Sequence, residues 1–273
     1  MLSEDRALRE DWHSSRIEEP EAVWKEERLK ADPTFLSRRC LEISGEKRAE
    51  VEVDVAVEES FDIVLNSDRI AALPASPVQL KELAIGFLID EGIVDGLEDI
   101  ASIRHENKAL KCETRNGKAN LGQRLSGAEV AGLKKIQSDV RMEAGTISSA
   151  VDLLNQSAKI WRRTGATHIS MICDLEGRVL ASCEDVSRSS SVDKTIGAAL
   201  LSGHDLSKCA LITSGRLSVA MVAKAARAGF SILISKSAPM NSGVELAERI
   251  GLTLIGFARG PNLYVYSGAE RVL

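Results

Sequence analysis

The chain lacks the features that would staple it, anchor it or charge it for several common functions. Its five cysteines, at positions 40, 112, 173, 183 and 209, are odd in number and nowhere form C-x-x-C. That argues against a disulfide framework and against a cysteine-rich zinc site. No metal ion held by the protein alone is expected. Aromatic residues make up only 4% and the net charge is -5, so neither serial base stacking nor a bulk basic field points to nucleic acid. No basic-then-apolar leader opens the sequence, and no apolar run approaches the roughly 18 residues of a membrane span. These absences predict a reducing, cytoplasmic setting with no membrane contact.

Missing motifs narrow the chemistry further. There is no G-x-x-x-x-G-K-[ST], so a P-loop nucleotidase is excluded, and no G-x-G-x-x-G follows a strand. H-x-E with a later P-C-x-x-C is absent, which removes zinc deaminase chemistry, and so is the G-x-S-x-G elbow.

What is present is an ordinary globular composition, 44% hydrophobic and 27% charged, over 273 residues, enough for one large core or two modest ones. Positions 1–44 are rich in charge, with Trp12, Trp24 and Phe35 as large apolar anchors, and read as an amino-terminal extension. From 45 to about 140 the pattern predicts a small α+β domain. Val51, Val53, Val55 and Val57 alternate with mostly acidic neighbours, as a strand with one buried face does. Phe61 to Leu65 continues as a second strand, and Asn66-Ser67-Asp68 makes its turn. Ser76 predicts a helix start, with Pro77 at the first position and Gln79 completing a capping box. Leu80, Leu83, Ala84, Phe87 and Leu88 then share one apolar stripe, and Gly92 is the natural stop. A hairpin is predicted over 103–114, a turn at Asn116-Gly117, and helices over 128–136 and 148–162.

From 141 to 273 the rhythm is α/β. Strands are predicted at 167–173, 179–185, 210–213, 231–235, 253–257 and 263–266, with helices at 191–201, 218–228 and 242–250. Apolar strands alternating with helices of about ten residues predict a largely parallel sheet covered on both faces.

Ligands of open α/β sheets bind beyond the carboxyl ends of the strands. Three successive strand ends here share a composition: Ser214-Gly215-Arg216, Ser235-Lys236, and Phe257-Ala258-Arg259-Gly260-Pro261-Asn262. Each joins small hydrogen-bonding residues to one cation, and the first two lead into helix starts. Taken singly, each serine reads first as a helix cap and each cation as a solvated loop residue. Taken together, they describe a site for a phosphorylated or otherwise anionic ligand. Ser190 with Asp193 reads as a further cap pair, near Asp185 and Arg188.

Several stretches resemble the formate dehydrogenase accessory sulfurtransferase family, FdhD. They are LKELAIGFLIDEGIV from Leu80, TGATHIS from Thr164, EDVSRSSSVDKTIG from Glu184, and the run from Ser214 to Gly260. The motifs fall in the family's order over roughly 45–273. The resemblance implies a three-layer α/β/α, cytidine-deaminase-like carboxy-terminal domain beside the smaller α+β amino-terminal domain. It implies a homodimer that takes sulfur from a cysteine desulfurase and delivers it to the molybdenum–guanine-dinucleotide cofactor, Mo-bis(molybdopterin guanine dinucleotide), destined for formate dehydrogenase. It sets 257–262 as the cofactor-binding segment for a guanine nucleotide, and adds His168, Asp185 and Arg188 to the cofactor-binding candidates.

The sequence departs from that family where sulfur would be carried. The family's C-x-x-C loop corresponds to 116–164, which contains no cysteine, and its G-R-H-N becomes Ser187-Arg188-Ser189-Ser190. Only a thiolate can carry a persulfide. The remaining candidates are Cys112, within a predicted strand, and Cys183, beside two carboxylates that would raise its pKa. The expectation is that no cysteine forms a stable persulfide. The alternative function is a non-catalytic module that binds molybdenum cofactor or guanine nucleotide without sulfur transfer.

Overall fold

The computed structural model describes residues 32–120, 130 and 132–273. Within them, strands β1 (Phe35–Ser44) and β2 (Lys47–Ala56) form a separate two-stranded ribbon. Part of the charged amino-terminal stretch is therefore ordered: its last ten residues pair along their whole length with β2. Residues 1–31 lie outside the described residues.

The next unit begins with β3 (Glu59–Leu65) and β4 (Asp68–Ala75). Asn66 and Ser67 both take positive φ, 48° and 79°, the backbone that matches a tight hairpin to strand twist. Helix α1 (Leu80–Asp90) follows, then β5 (Ile100–Glu106) and β6 (Ala109–Thr114). The strands order as β4-β3-β6-β5, and α1 packs on them through Leu83, Phe87 and Leu88 against Phe61, Ile63 and Leu110. The predicted capping box does not form. The helix starts at Leu80, and Gln79 sits at φ 52° with its side chain elsewhere. Ser76 is occupied instead in joining the two units: its N–H donates to Asp185 and its hydroxyl accepts from the Val186 N–H.

The predicted helix over 128–136 falls largely outside the described residues, and 133–136 are irregular. The predicted helix over 148–162 is two helices, α2 (Ala144–Ser157) and α3 (Lys159–Thr164). They part at Ala158 because the N–H groups of Ile160 and Trp161 turn to the Glu184 carboxylate, at 2.9 and 2.8 Å.

The remaining elements are β7 (His168–Asp174), β8 (Val179–Asp185), α4 (Arg188–Leu201), β9 (Cys209–Thr213), α5 (Val219–Arg227), β10 (Ile232–Ser235), α6 (Asn241–Ile250), β11 (Thr253–Arg259) and β12 (Asn262–Ser267). Their six strands order as β12-β11-β10-β9-β7-β8. Strand alternation sends Ile172, Leu211, Leu233 and Leu254 to a core with α4, α5 and α6. It sends Met171, Ile212, Ile234 and Ile255 to the opposite core with α2. Helices thus cover both faces.

The sheet is mixed and not largely parallel. Strands β9, β10 and β11 run together, while β7 is antiparallel to β8 and β9, and β12 to β11. The β7–β8 and β11–β12 connections are short hairpins, which permit only antiparallel pairing. One consequence bears on function. Because β7 runs against β9, its first residue, His168, lies at the edge where β8, β9, β10 and β11 end.

The two units meet where α1 crosses α4. A Cβ on Gly86 would lie 1.7 Å from the Asp193 carbonyl oxygen, and one on Gly197 would lie 2.1 Å from that of Glu82. Backbone meets backbone at this crossing, which only glycine permits.

Candidate functional site

The hydroxyl groups at the carboxyl edge are spent on its architecture. Ser214 Oγ accepts from the Ile169 N–H at 3.0 Å and lies 3.2 Å from His168 Nδ1. Thr213 Oγ1 accepts from the Gly215 N–H, and Ser235 Oγ donates to the Gly215 carbonyl at 2.7 Å while accepting from the Ser237 N–H. Ser170, at the centre, reaches both Ser191 and Thr213. These bonds fix the loops after β9 and β10 against each other and against β7, so the serines expected to touch a ligand serve mainly to hold the loops.

The cations are arranged differently. His168 is half-buried, and its pKa is lowered by burial first and then by Arg188, Lys236 and Arg216. Arg188 at the start of α4, Lys236 after β10 and Arg216 after β9 thus add positive charge around one imidazole, which stays neutral at pH 7. Gly215 packs against the Arg188 side chain, whose Cβ lies 3.0 Å from where a Cβ on Gly215 would sit. Lys236 is lowered by burial and then by Arg259, whose Nε donates to the Lys236 carbonyl at 2.8 Å. Positive charge thus gathers around His168 and Lys236 in an otherwise acidic protein, an arrangement that favours an anion.

Phe257 marks the strained point of this edge. Its φ is 47°, a conformation costly for a non-glycine residue, and the β11–β12 register shifts between Gly256 and Arg259. The bulge brings Arg259 opposite Asn262, and Phe257 packs edge-on against Tyr264 with ring centroids 5.9 Å apart. Ala258 points into the core, Gly260 takes the positive φ of the turn, and Pro261 completes it.

A cavity of about 320 Å³ opens beside these residues, between α3 and the starts of the loops, with Trp161, Thr167, His168, Ser214 and Lys236 in its walls. A larger concavity of about 590 Å³ lies along 136–141 and Glu270-Arg271, away from every candidate named from sequence. The smaller one is the better site because His168, Ser214 and Lys236, three of the residues named from sequence, share its wall.

Asp185 stands apart from the other candidates. Its carboxylate is fully buried, pairs with Lys194 at 2.6 Å and accepts from the Ser76 and Ser187 N–H groups. It joins the two units and does not face the cavity. The cap of α4 is Ser187, which accepts from the Ser190 N–H, and not the pair Ser190 and Asp193, both of which are buried. Asp193 instead faces Lys224.

Sequence reasoning missed Glu184, Trp161 and Asn155. Glu184 was given no role from sequence, yet it accepts from two N–H groups of α3 and from Thr167 Oγ1. Asn155 holds the Lys236 ammonium at 2.8 Å. Nothing in the local pattern distinguishes them, because Lys236 lies 81 residues from Asn155 and Glu184 lies 23 residues from Trp161.

The thiols do not join the site. Burial pushes Cys112 and Cys173 up to about 12 and Cys209 to about 11, and raises Cys183, whose Sγ accepts from Gln79 Nε2. All five cysteines are among the described residues, and Cys40, on the ribbon, is the exposed one.

The model of the FdhD/NarQ family matches residues 56–273. The chain belongs to the FdhD/NarQ family. It is 34% identical over 238 residues to the sulfur carrier protein FdhD of Methanothermobacter thermautotrophicus, spanning 84% of this chain and 95% of that protein. It is 33% identical over 245 residues to the FdhD sulfur carrier of Thermoplasma acidophilum, spanning 80% and 86%. A solved structure of a candidate formate dehydrogenase accessory protein from Desulfotalea psychrophila superposes with a TM-score of 0.78 at 28% identity, covering 88% of this chain and all of that one. Among the described residues no helix of this FdhD/NarQ member is long and apolar enough to cross a membrane.

Proposed function

We propose that this FdhD/NarQ-family chain is an accessory protein of formate dehydrogenase maturation. It holds the guanine-nucleotide portion of Mo-bis(molybdopterin guanine dinucleotide) at the carboxyl edge of its six-stranded sheet. The cofactor is cargo here, received and handed on. The observation that carries this reading is the meeting of His168, Ser214 and Lys236 in the wall of one cavity, with Arg259 Nε donating to the Lys236 carbonyl and the positive charge of Arg188 and Arg216 acting on His168. Guanidinium forks and an ammonium suit phosphate oxygens, and their mutual repulsion favours an anionic guest. The curated relatives named as sulfur carriers, and the structural neighbour named for formate dehydrogenase, support the pathway. Helices on both faces of the mixed sheet accord with a cytidine-deaminase-like arrangement. Formate dehydrogenase, a cysteine desulfurase and a second copy of the chain are the proposed partners, in the cytoplasm.

Calorimetry with GDP tests the site. The wild type binds GDP, and Arg259→Ala weakens it at least roughly tenfold, the worth of one charge-assisted hydrogen bond to a desolvated phosphate. Absent binding, or affinity unchanged by the substitution, would show that these loops are packing devices only.

A second reading, sulfur delivery by the chain itself, is confined to Cys40, the exposed thiol, because the other four are buried and held protonated.

A further inference from the structure

Helix α3 is held on three sides, yet its largest apolar side chain is left open. Glu184 fixes the N–H groups of Ile160 and Trp161, and Thr167 fixes the same carboxylate. Gly165, at φ 69°, closes the helix with its N–H on the Trp161 carbonyl at 2.7 Å. Arg163 stacks 3.9 Å from the Phe35 ring centroid and pairs with Asp54 at 2.6 Å, which ties the helix to the ribbon. Trp161 remains 49% exposed on this fixed backbone.

Its position makes the exposure informative. Trp161 shares the wall of the 320 Å³ cavity with His168 and Ser214. The Lys236 ammonium lies 5.7 Å from the ring centroid and is steadied by Asn155. A flat, rigid, electron-rich face thus adjoins Lys236, whose carbonyl in turn holds Arg259. A small inorganic anion would use the cations alone and leave the indole idle. A nucleotide has both parts that the surface offers to meet, phosphates for the cations and a planar heterocycle for the ring.

We propose that Trp161 is the stacking platform for the heterocycle of a nucleotide whose phosphates lie on Lys236 and the neighbouring arginines. This rests on the anion-site reading above and deepens it. Base–aromatic stacking tolerates any base, so Trp161 contributes affinity for a heterocycle and does not choose guanine over adenine.

The test compares GDP with inorganic pyrophosphate by calorimetry on the full chain, for the wild type, Trp161→Ala and Trp161→Phe. The wild type binds GDP more tightly than pyrophosphate. Trp161→Ala weakens GDP roughly five- to hundredfold, the usual worth of one stacked base, and leaves pyrophosphate within about twofold. Trp161→Phe recovers most of the GDP affinity. Equal weakening of both ligands by Trp161→Ala, no weakening of GDP, or wild-type GDP and pyrophosphate affinities that match would each overturn the stacking role, while pyrophosphate binding left the anion site standing. Failure of the wild type to bind either ligand would overturn the anion site and the platform together.

Discussion

A thiol carries sulfur only if it ionises and a donor can reach it. Four of the five cysteines meet neither condition. Cys173 and Cys209 lie within the six-stranded sheet and Cys112 within the four-stranded one, and Cys183 lies under Gln79 at the seam between the units. Cys40 sits opposite Val51 on an exposed ribbon. Iodoacetamide on the native protein should therefore modify Cys40 alone, with the other four reacting only after unfolding. Peptide mapping that finds Cys183 labelled in the native state would undo this account. The same mapping decides the sulfur question. After incubation with a cysteine desulfurase and free cysteine, a stoichiometric sulfur on Cys40, lost in Cys40→Ser, would support delivery by the chain itself. Its absence leaves the holding role. At this scale the sequence was informative about charge and poor about contact. The positions of Arg216, Lys236 and Arg259 at one sheet edge could be read because each follows or ends a recognisable strand. Trp161 and Glu184 were not, because a carboxylate that caps a helix from a distant strand leaves no local spacing to read.

Elements were the most legible level where hydrophobic period and turn residues agreed. Strand β8 and helices α4, α5 and α6 fall within a few residues of their predicted bounds. The failures have a shared cause. The capping box at Ser76, the unbroken helix through Ala158 and the cap pair at Ser190 each assumed that a polar side chain serves its own helix. In each case it, or the backbone it would cap, is bonded across the fold. Sheet direction was misread because alternation fixes which residues are strands and not which way they pair. The α1–α4 crossing gives a direct test of element packing. Ala in place of Gly86 would meet the Asp193 carbonyl, a backbone atom that cannot swing aside. Overpacking of this kind costs about 1–3 kcal/mol. That outweighs the roughly 0.5–1 kcal/mol by which Ala exceeds Gly inside a helix. Urea denaturation should show Gly86→Ala less stable than the wild type. Gly145→Ala, where a Cβ meets nothing within 4 Å, should be at or above it. Equal stability of the two variants would mean that the helices do not cross as closely as described.

Among the described residues the four-stranded and six-stranded units are joined along a seam that is partly ionic. Lys224 of α5 reaches Asp90 at 2.6 Å and Glu91 at 2.9 Å on α1, and Asp193 at 3.0 Å on α4. Arg227 lies at the margin, 4.0 Å from Glu91. Burial pushes Lys224 down, but Asp193, Asp90 and Glu91 outweigh it and the ammonium stays charged. One buried cation cannot balance three carboxylates. Burial and then Asp193 raise Asp90 well above its ordinary value of 3.8, with Lys224 opposing them. Burial likewise raises Asp193, against Lys224. The folded seam therefore retains a proton that the unfolded chain releases near pH 4. The sign follows from that difference. A carboxyl raised on folding contributes stability that is full below its unfolded pKa and is lost as pH rises through its folded one. Mildly acidic solution should thus strengthen the joint between the units relative to neutral solution. Asp90→Asn keeps a polar partner for Lys224 and removes the titration. Urea unfolding measured from about pH 4 to neutrality should show wild-type stability falling relative to the variant, by up to about 1.4 kcal/mol per pH unit where one proton is exchanged. Parallel pH profiles for the two proteins would place the retained proton elsewhere. A variant profile steeper than that of the wild type would reverse the sign and sink the shared-proton account of the seam.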